Sequence, residues 1–510
     1  MSGVERTALL DPPPPESGSQ GALSPASAAA GSAAHNQAIA TGVVWQGALR
    51  WLVQILSWTA TLVIARKLSP EDYGIAGTAT VLVGLVSQLT DFGVGRAVLM
   101  QRQRNDEVLG QAYSASLLIG LAAAILLLLG ALPMAGFYGE PRVAPLIAVL
   151  ALLPIISGAS SVPLAMLQQQ LRYRAVAVVE FAKAALQAVV VLLCAVAGLR
   201  YWSLAIGTLA GNVVVFLLAR RFVKLKLRKP SLNTLRPTLK YAGHLIVGAM
   251  AWYLYSNSDF VVVGRTAGLV ALGYYQFAWN VAQLPGEKLG NILQSVVGPF
   301  FAAIGDDRAA LRHYFLLLSE FLMSIMLPVL CGFALVSTLA VPLLFGAKWL
   351  AAVPTMQILV MCAAVSSMAL LGQHVLTATG QADVSMKLSV STLLVLPASF
   401  YFAARIWGPF AVACVWLVAQ PILVGVVLSR IRQTLDMPIS EYLLRLKAPF
   451  VCSGMMVGVI VIVREFTGGM APALHLITLS ALGALVYVVA FRTLFSERIT
   501  AILAILRTRS

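Results

Sequence analysis

The chain has 510 residues, of which 59% are hydrophobic and only 11% charged, with a formal net charge of +16. A water-soluble globular domain is excluded, because its surface would have to be mostly apolar; runs of about 20 apolar residues are what a bilayer-spanning helix requires. The positive charge points either to nucleic acid or to membrane topology, and the positions of the basic residues decide which.

Taken in chain order, residues 1–36 contain "DPPPPESGSQGALSPASAAAGSAAHN", too rich in Pro, Ser, Ala and Gly to bury a core, so a disordered cytoplasmic tail is expected. It lacks the basic stretch and short apolar run of a signal peptide. Fourteen apolar segments follow, at 39–64, 74–95, 112–132, 144–166, 176–198, 202–219, 241–264, 272–300, 314–340, 351–378, 388–404, 410–429, 449–463 and 473–491. With the N-terminus inside, the inner loops and C-terminal tail carry 23 Lys and Arg and the outer loops eight, which sets both termini in the cytoplasm. The basic charge is therefore a topology signal and a contact with the cytoplasmic leaflet, and no nucleic-acid partner is expected. The five cysteines, Cys194, Cys331, Cys362, Cys414 and Cys452, lie within apolar runs without CxxC spacing and read as packing residues.

The two halves echo each other. In "ARKLSPEDYG" Arg66 precedes Gly74 by eight residues, and in "GRTAGLVALG" Arg265 precedes Gly273 by eight; the offset between the pairs is 199, and it also carries Gln88 onto Glu287. Six spans, the longest basic loop (220–240), six more and two extra give an all-α polytopic membrane protein. Its two six-helix lobes form a parallel pseudo-repeat, with two C-terminal helices added. The expected divisions are 1–36, 37–225 (spans 1–6), 226–435 (spans 7–12) and 436–510.

Polar residues recur at helical spacing inside these spans. Segment eight carries Gln276, Asn280, Gln283, Glu287, Asn291 and Gln294, all on one face. Segment one carries Gln46, Arg50, Gln54, Ser57 and Thr61; segment two, Thr80, Ser87 and Asp91; segment five, Glu180, Lys183 and Gln187. A charge at mid-bilayer costs about 2.5–3.5 kcal/mol or more, so these faces meet protein or water. Single amides can be hydrogen-bonding glue between helices. A six-residue stripe with Glu287 beside Lys288 favours a wet cavity, and Arg50, with no acid within a helical turn, suits an anion. Glu180 and Lys183 can neutralise each other, Asp259 has no basic neighbour at helical spacing, and Asp91 either lines the cavity or anchors a helix end.

Motifs for catalysis are missing: no Gly-Lys pair for a Walker A loop, no HExxH, no GxSxG, and no metal-ligand spacing among His35, His244, His313, His374 and His475. No enzyme activity, cofactor or metal is expected.

Three stretches resemble a known family. "ARKLSPEDYGIAGTATVLVGLVSQLTDFGVGRAVLMQ", "QLPGEKLGNILQSVVGPFFAAIGDD" and "LFGAKWLAAVPTMQILV" (with Lys348-Trp349) are similar to the Wzx-type polysaccharide flippases of the multidrug/oligosaccharidyl-lipid/polysaccharide exporter superfamily. The resemblance covers about residues 38–440. It implies two six-helix lobes forming a V, alternating access, and an undecaprenyl-diphosphate-linked oligosaccharide moved from the cytoplasmic to the periplasmic leaflet of the bacterial inner membrane. It also implies H+ or Na+ as candidate coupling ions and other polysaccharide assembly proteins as candidate partners. The residues expected at the substrate are Gln46, Arg50, Gln54, Asn280, Gln283, Glu287, Lys288, Asn291, Arg66 and Arg265, and those for ion coupling Glu287, Asp259, Glu180 and Asp91. A cation or drug antiporter, a peptidoglycan-precursor flippase and a non-transporting component of polysaccharide assembly remain as alternatives. Arg50 disfavours the antiporter, since a cationic drug would meet a like charge.

Overall fold

A computed structural model describes residues 54, 56–91, 106–170, 172–305 and 307–496. The expected tail (1–36), Gln46 and Arg50 lie outside the described residues, as do the side chains of Asp91, Glu287, Lys288, Asn291 and Gln294, whose backbones fall on described helices.

Every regular element among the described residues is helical. A helix runs to residue 67 (α1, described from 56). It is followed by α2 (Pro70–Asp91), α3 (Asp106–Tyr138), α4 (Val143–Leu150), α5 (Leu152–Gln169), α6 (Tyr173–Val196) and α7 (Trp202–Phe222). The second half has α8 (Leu232–Ile304), α9 (Arg308–Phe345), a 3-10 turn (Ala347–Ala352), α10 (Val353–Ala378), α11 (Ala382–Trp407) and α12 (Pro409–Leu435). Two further helices, α13 (Ile439–Phe466) and α14 (Pro472–Leu494), follow.

Local chemistry sets the boundaries. The start of α2 is a capping box closed by Asp: the Asp72 amide donates to Ser69 Oγ at 3.2 Å and the Ser69 amide donates to the Asp72 carboxylate at 3.0 Å. Pro70 holds the first helical position, where a missing N–H is harmless. The 73-residue α8 is broken only at Gly268, at φ +85, a left-handed conformation that a side chain would strain. It therefore consists of two arms, 232–267 and 269–304, the expected segments seven and eight.

Several helices exceed the expected spans, because helical hydrogen bonding continues past the apolar stretch into charged ends; α9 begins at Arg308 and α13 at Ile439. The expected 220–240 loop shrinks for the same reason, leaving only 223–231 outside helices.

Eleven helices among the described residues are long and apolar enough to cross a membrane. The remaining three expected segments are the first, mostly outside the described residues, and the two less apolar arms of α8. Leu132 and Leu394 are each 76% exposed, an arrangement that water penalises and lipid accepts. One buried cluster joins α2, α3, α4, α5 and α7 around Ile75, Leu127 and Ile147. A larger one joins the helices of the second half, and Ile64, Ala65 and Leu68 from the end of α1 belong to it. The end of α1 is thus packed into the other half's core.

Candidate functional site at the crossing of the two halves

The two halves meet where α2 crosses the second arm of α8. A Cβ on Gly74 would collide with the carbonyl oxygen of Leu269, and one on Gly273 with that of Pro70. Leu269 and Pro70 are themselves 199 residues apart, so the same backbone contact is made twice with the halves exchanged. Gly77 lies against the Gln276 side chain, and these two residues are also 199 apart. A residue that faces its own repeat partner sits on the local two-fold axis. Gln276 Oε1 is buried there without a hydrogen-bond partner among the described residues.

The arginines obey the same exchange. From the end of α1, Arg66 donates through Nε to Leu344 O at 2.8 Å and through Nη2 to Leu343 O at 2.7 Å, at the end of α9. From the end of the first arm of α8, Arg265 places its guanidinium 5.5 Å from the Phe137 ring centre, at the end of α3. Each arginine reaches the end of the third helix of the opposite half. Helix C-termini carry unpaired carbonyls and partial negative charge, which accounts for cations there.

A further contact joins the same two ends. The turn after α9 folds back on α1: Lys348 Nζ donates to Arg66 O at 2.8 Å and Leu68 O at 2.7 Å, and Trp349 Nε1 donates to Ala65 O at 2.8 Å. Trp349 is fully buried, stacked on Phe277 at 4.1 Å between ring centres and edge-on to Tyr73 at 5.0 Å. Arg66, Lys348 and Trp349 form a clasp in which each half caps a helix end of the other.

On the same face, charged side chains tie the first half to itself. Arg142 pairs with Glu71 at 2.5 Å and Glu140 at 2.7 Å, and Arg200 pairs with the buried Asp72 at 3.0 Å. The Arg142 hydrogen bond holds the Glu140 carboxyl below the usual range. Arg200 adopts a left-handed φ of +48, a strain held in place by its two acidic partners, Glu71 and Asp72.

Asp259 lies deep in the second half, fully buried. Its Oδ2 accepts from Tyr275 Oη and Trp416 Nε1, each at 2.8 Å, and its Oδ1 accepts from the Phe260 amide at 2.9 Å. All three donors are neutral. Two come from elsewhere in the fold, the second arm of α8 and α12.

The other expected residues are dispersed. Asn280 is exposed and Gln283 half-buried on the second arm of α8; Glu180 is exposed on α6, and Gln54 is half-buried. Arg66 and Arg265 lie at the clasp end of the fold. Sequence reasoning missed Tyr275, Trp416 and Tyr253 as polar partners; Tyr253 Oη donates across to Val81 O at 3.1 Å. The signal for Tyr253 was its place in "WYLYSNSD", one helical turn before Asn257. Nothing in the sequence marked Trp416.

A family model described as "Polysaccharide biosynthesis protein" matches residues 63–354. The chain is 27% identical over 424 residues to the lipopolysaccharide biosynthesis protein WzxC of Escherichia coli K12, covering 81% of this chain and 85% of that one. It is 25% identical over 447 residues to the succinoglycan biosynthesis transport protein ExoT of Rhizobium meliloti, covering 85% and 88%. Among solved structures, the lipid II flippase MurJ in an inward closed conformation superposes with a TM-score of 0.75 at 15% identity, over 89% of this chain and all 100% of that one. An inward-facing multidrug resistance MATE transporter gives a TM-score of 0.63 at 16% identity, over 74% and 94%. At these identities the likeness to the solved structures is one of fold, that of a multi-pass membrane protein. The family match spans more than half the chain and includes both glycines of the crossing and the whole clasp: the chain belongs to the polysaccharide biosynthesis protein family.

Proposed function

We propose that this protein is a transporter that moves an undecaprenyl-diphosphate-linked oligosaccharide from the cytoplasmic to the periplasmic leaflet of the bacterial inner membrane by alternating access, with both termini in the cytoplasm. The names of its relatives, concerned with lipopolysaccharide and succinoglycan biosynthesis, support this cargo class. The observation that carries the reading is the exchanged contact of the two halves: they touch through glycines on a local two-fold axis and are held at one face by a clasp of separable hydrogen bonds. Such a joint lets the halves rock as units. The positive-inside rule makes the clasp face periplasmic and the face carrying the 223–231 segment cytoplasmic.

Arg50 and Lys288 are proposed to meet the diphosphate, and Gln46, Gln54, Asn280, Gln283 and Asn291 the sugar hydroxyls. In the closed clasp the Arg66 guanidinium is committed to Leu343 and Leu344, so it reaches cargo only when that face opens; Arg265 is exposed. Glu287, Asp259, Glu180 and Asp91 are the carboxylates proposed for coupling to H+ or Na+. The Asp259 cage of neutral donors suits a group that gains and loses a proton or monovalent ion without losing its orientation.

The test is export of polymer by variants made at normal protein level. Arg50→Ala is expected to abolish export and Arg50→Lys to keep part of it. Full export by Arg50→Ala would remove Arg50 from the cargo path.

A further inference from the structure

The connection between α7 and α8 is extended over 223–231 and fastened to α3. The Arg228 amide donates to Ser114 Oγ at 3.1 Å and the Ser231 amide to Gln111 Oε1 at 3.3 Å. A Cβ on Gly110 would meet Lys226 O, so the backbone lies directly on the helix. Side chains alternate as in a strand. Val223 is buried and Leu225 half-buried, packed against the apolar clusters at the α3 and α5 ends, while Lys224 and Lys226 point out. Beyond them Leu227 is 66% exposed, flanked by the exposed Arg228 and Lys229.

The cations of the clasp and those of the strap differ in their partners. On the clasp face Arg66, Arg142, Arg200 and Lys348 are all bound to carboxylates or carbonyls. On the strap, Lys224, Lys226, Arg228 and Lys229 form no ion pair with an acid among the described residues. The acids of the supporting helix nearest in sequence, Asp106 and Glu107, sit in the first turn of α3. Four cations and an exposed leucine thus lie in a row on a backbone that is hydrogen-bonded to α3.

We infer that this strap is a docking surface for the anionic phospholipid headgroups of the leaflet it borders, the four cations meeting phosphates and Leu227 entering the acyl boundary. The inference rests on the membrane-spanning fold and on which face is basic, and not on the cargo. Its failure would leave the transport reading standing, and the reverse.

The experiment is native mass spectrometry of the full-length protein from mixed phosphatidylglycerol and phosphatidylcholine, comparing wild type with Lys224→Gln/Lys226→Gln/Arg228→Gln/Lys229→Gln. Wild type should retain phosphatidylglycerol preferentially, by roughly five-fold per cation at low salt, and the preference should fall as salt rises. The glutamine variant should lose it, and a charge-keeping control with Lys224, Lys226 and Lys229 changed to Arg should retain it. Equal lipid ratios for wild type and glutamine variant would overturn the inference, as would loss in the charge-keeping control. So would selection of a diphosphate lipid over phosphatidylglycerol by the strap cations, or capture of an acidic soluble protein without lipid preference.

Discussion

Replacing Lys348 with Met keeps the length and apolar stem of the side chain and removes its charge. The ammonium donates to two carbonyls at the end of α1, at 2.8 and 2.7 Å. Hydrogen bonds from charged donors contribute about 1.5–3 kcal/mol each, and a cation at a helix C-terminus adds about 0.3–1 kcal/mol. Lys348 is only half-buried, so water recovers part of this in the variant and the net loss is nearer about 2–3 kcal/mol for the pair. If the clasp exists only in the closed arrangement, that loss falls on one state and shifts the equilibrium towards opening by roughly 30- to 150-fold. Spin labels at Leu199→Cys and Trp407→Cys in a cysteine-free background read the separation of the two halves on the clasp face. Wild type should give a single distance, and Lys348→Met a second, longer one. A lower melting temperature with an unchanged distance distribution would exclude a state-specific clasp, because Lys348 would then stabilise the fold and not one of its states.

Gly273→Ala sets a methyl against the Pro70 carbonyl, where only backbone can yield; a destabilisation of about 1–3 kcal/mol is expected in detergent melting, with a similar value for Gly74→Ala, whereas Gly458→Ala, inside α13 with open space around it, should not destabilise. Glu140 is held below its ordinary pKa by Arg142, so its pairing stabilises the fold fully above the unfolded carboxyl's pKa and is lost as pH falls through the folded one. Glu140→Gln should therefore lower stability by about 0.2–1 kcal/mol at neutral pH, with the gap to wild type closing in acid; a gap constant with pH would exclude the pair as its source. Asp259→Asn keeps an oxygen for Tyr275 and Trp416 and loses mainly the Phe260 contact, so the protein should fold with a deficit of about 1 kcal/mol, yet the pH or sodium dependence of transport should disappear. An unaltered dependence would remove Asp259 from coupling.

The membrane-spanning character was legible in composition, and the repeat in two arginines and two glycines, because both rest on local pattern. Gly74 and Gly273 needed no structure to be paired, only the common offset; what they do, letting two backbones touch, needed the partner carbonyls of Leu269 and Pro70. The clasp was hidden for a different reason. Lys348 and Arg66 are 282 residues apart and each is an ordinary cation at a helix end, so the sequence shows the capping residue but not whose helix it caps. Asp259 was visible as an unpaired acid, while its donors lie on other parts of the fold and are aromatic, a composition that reads as packing. Helix ends were misjudged where charged turns extend an apolar span, as at Arg308.

On the proposed mechanism, lipid-linked oligosaccharide crosses the bilayer only if the clasp opens. The most direct measurement locks it: Arg66→Cys and Leu344→Cys, joined by a short reducible bifunctional thiol reagent, in proteoliposomes holding an undecaprenyl-diphosphate oligosaccharide with a fluorescent sugar. Accessibility of the fluorophore to an impermeant quencher reports translocation. Protein-dependent exchange between leaflets should stop on crosslinking and return on reduction; exchange at the same rate with the clasp locked would rule out clasp opening as a step in transport.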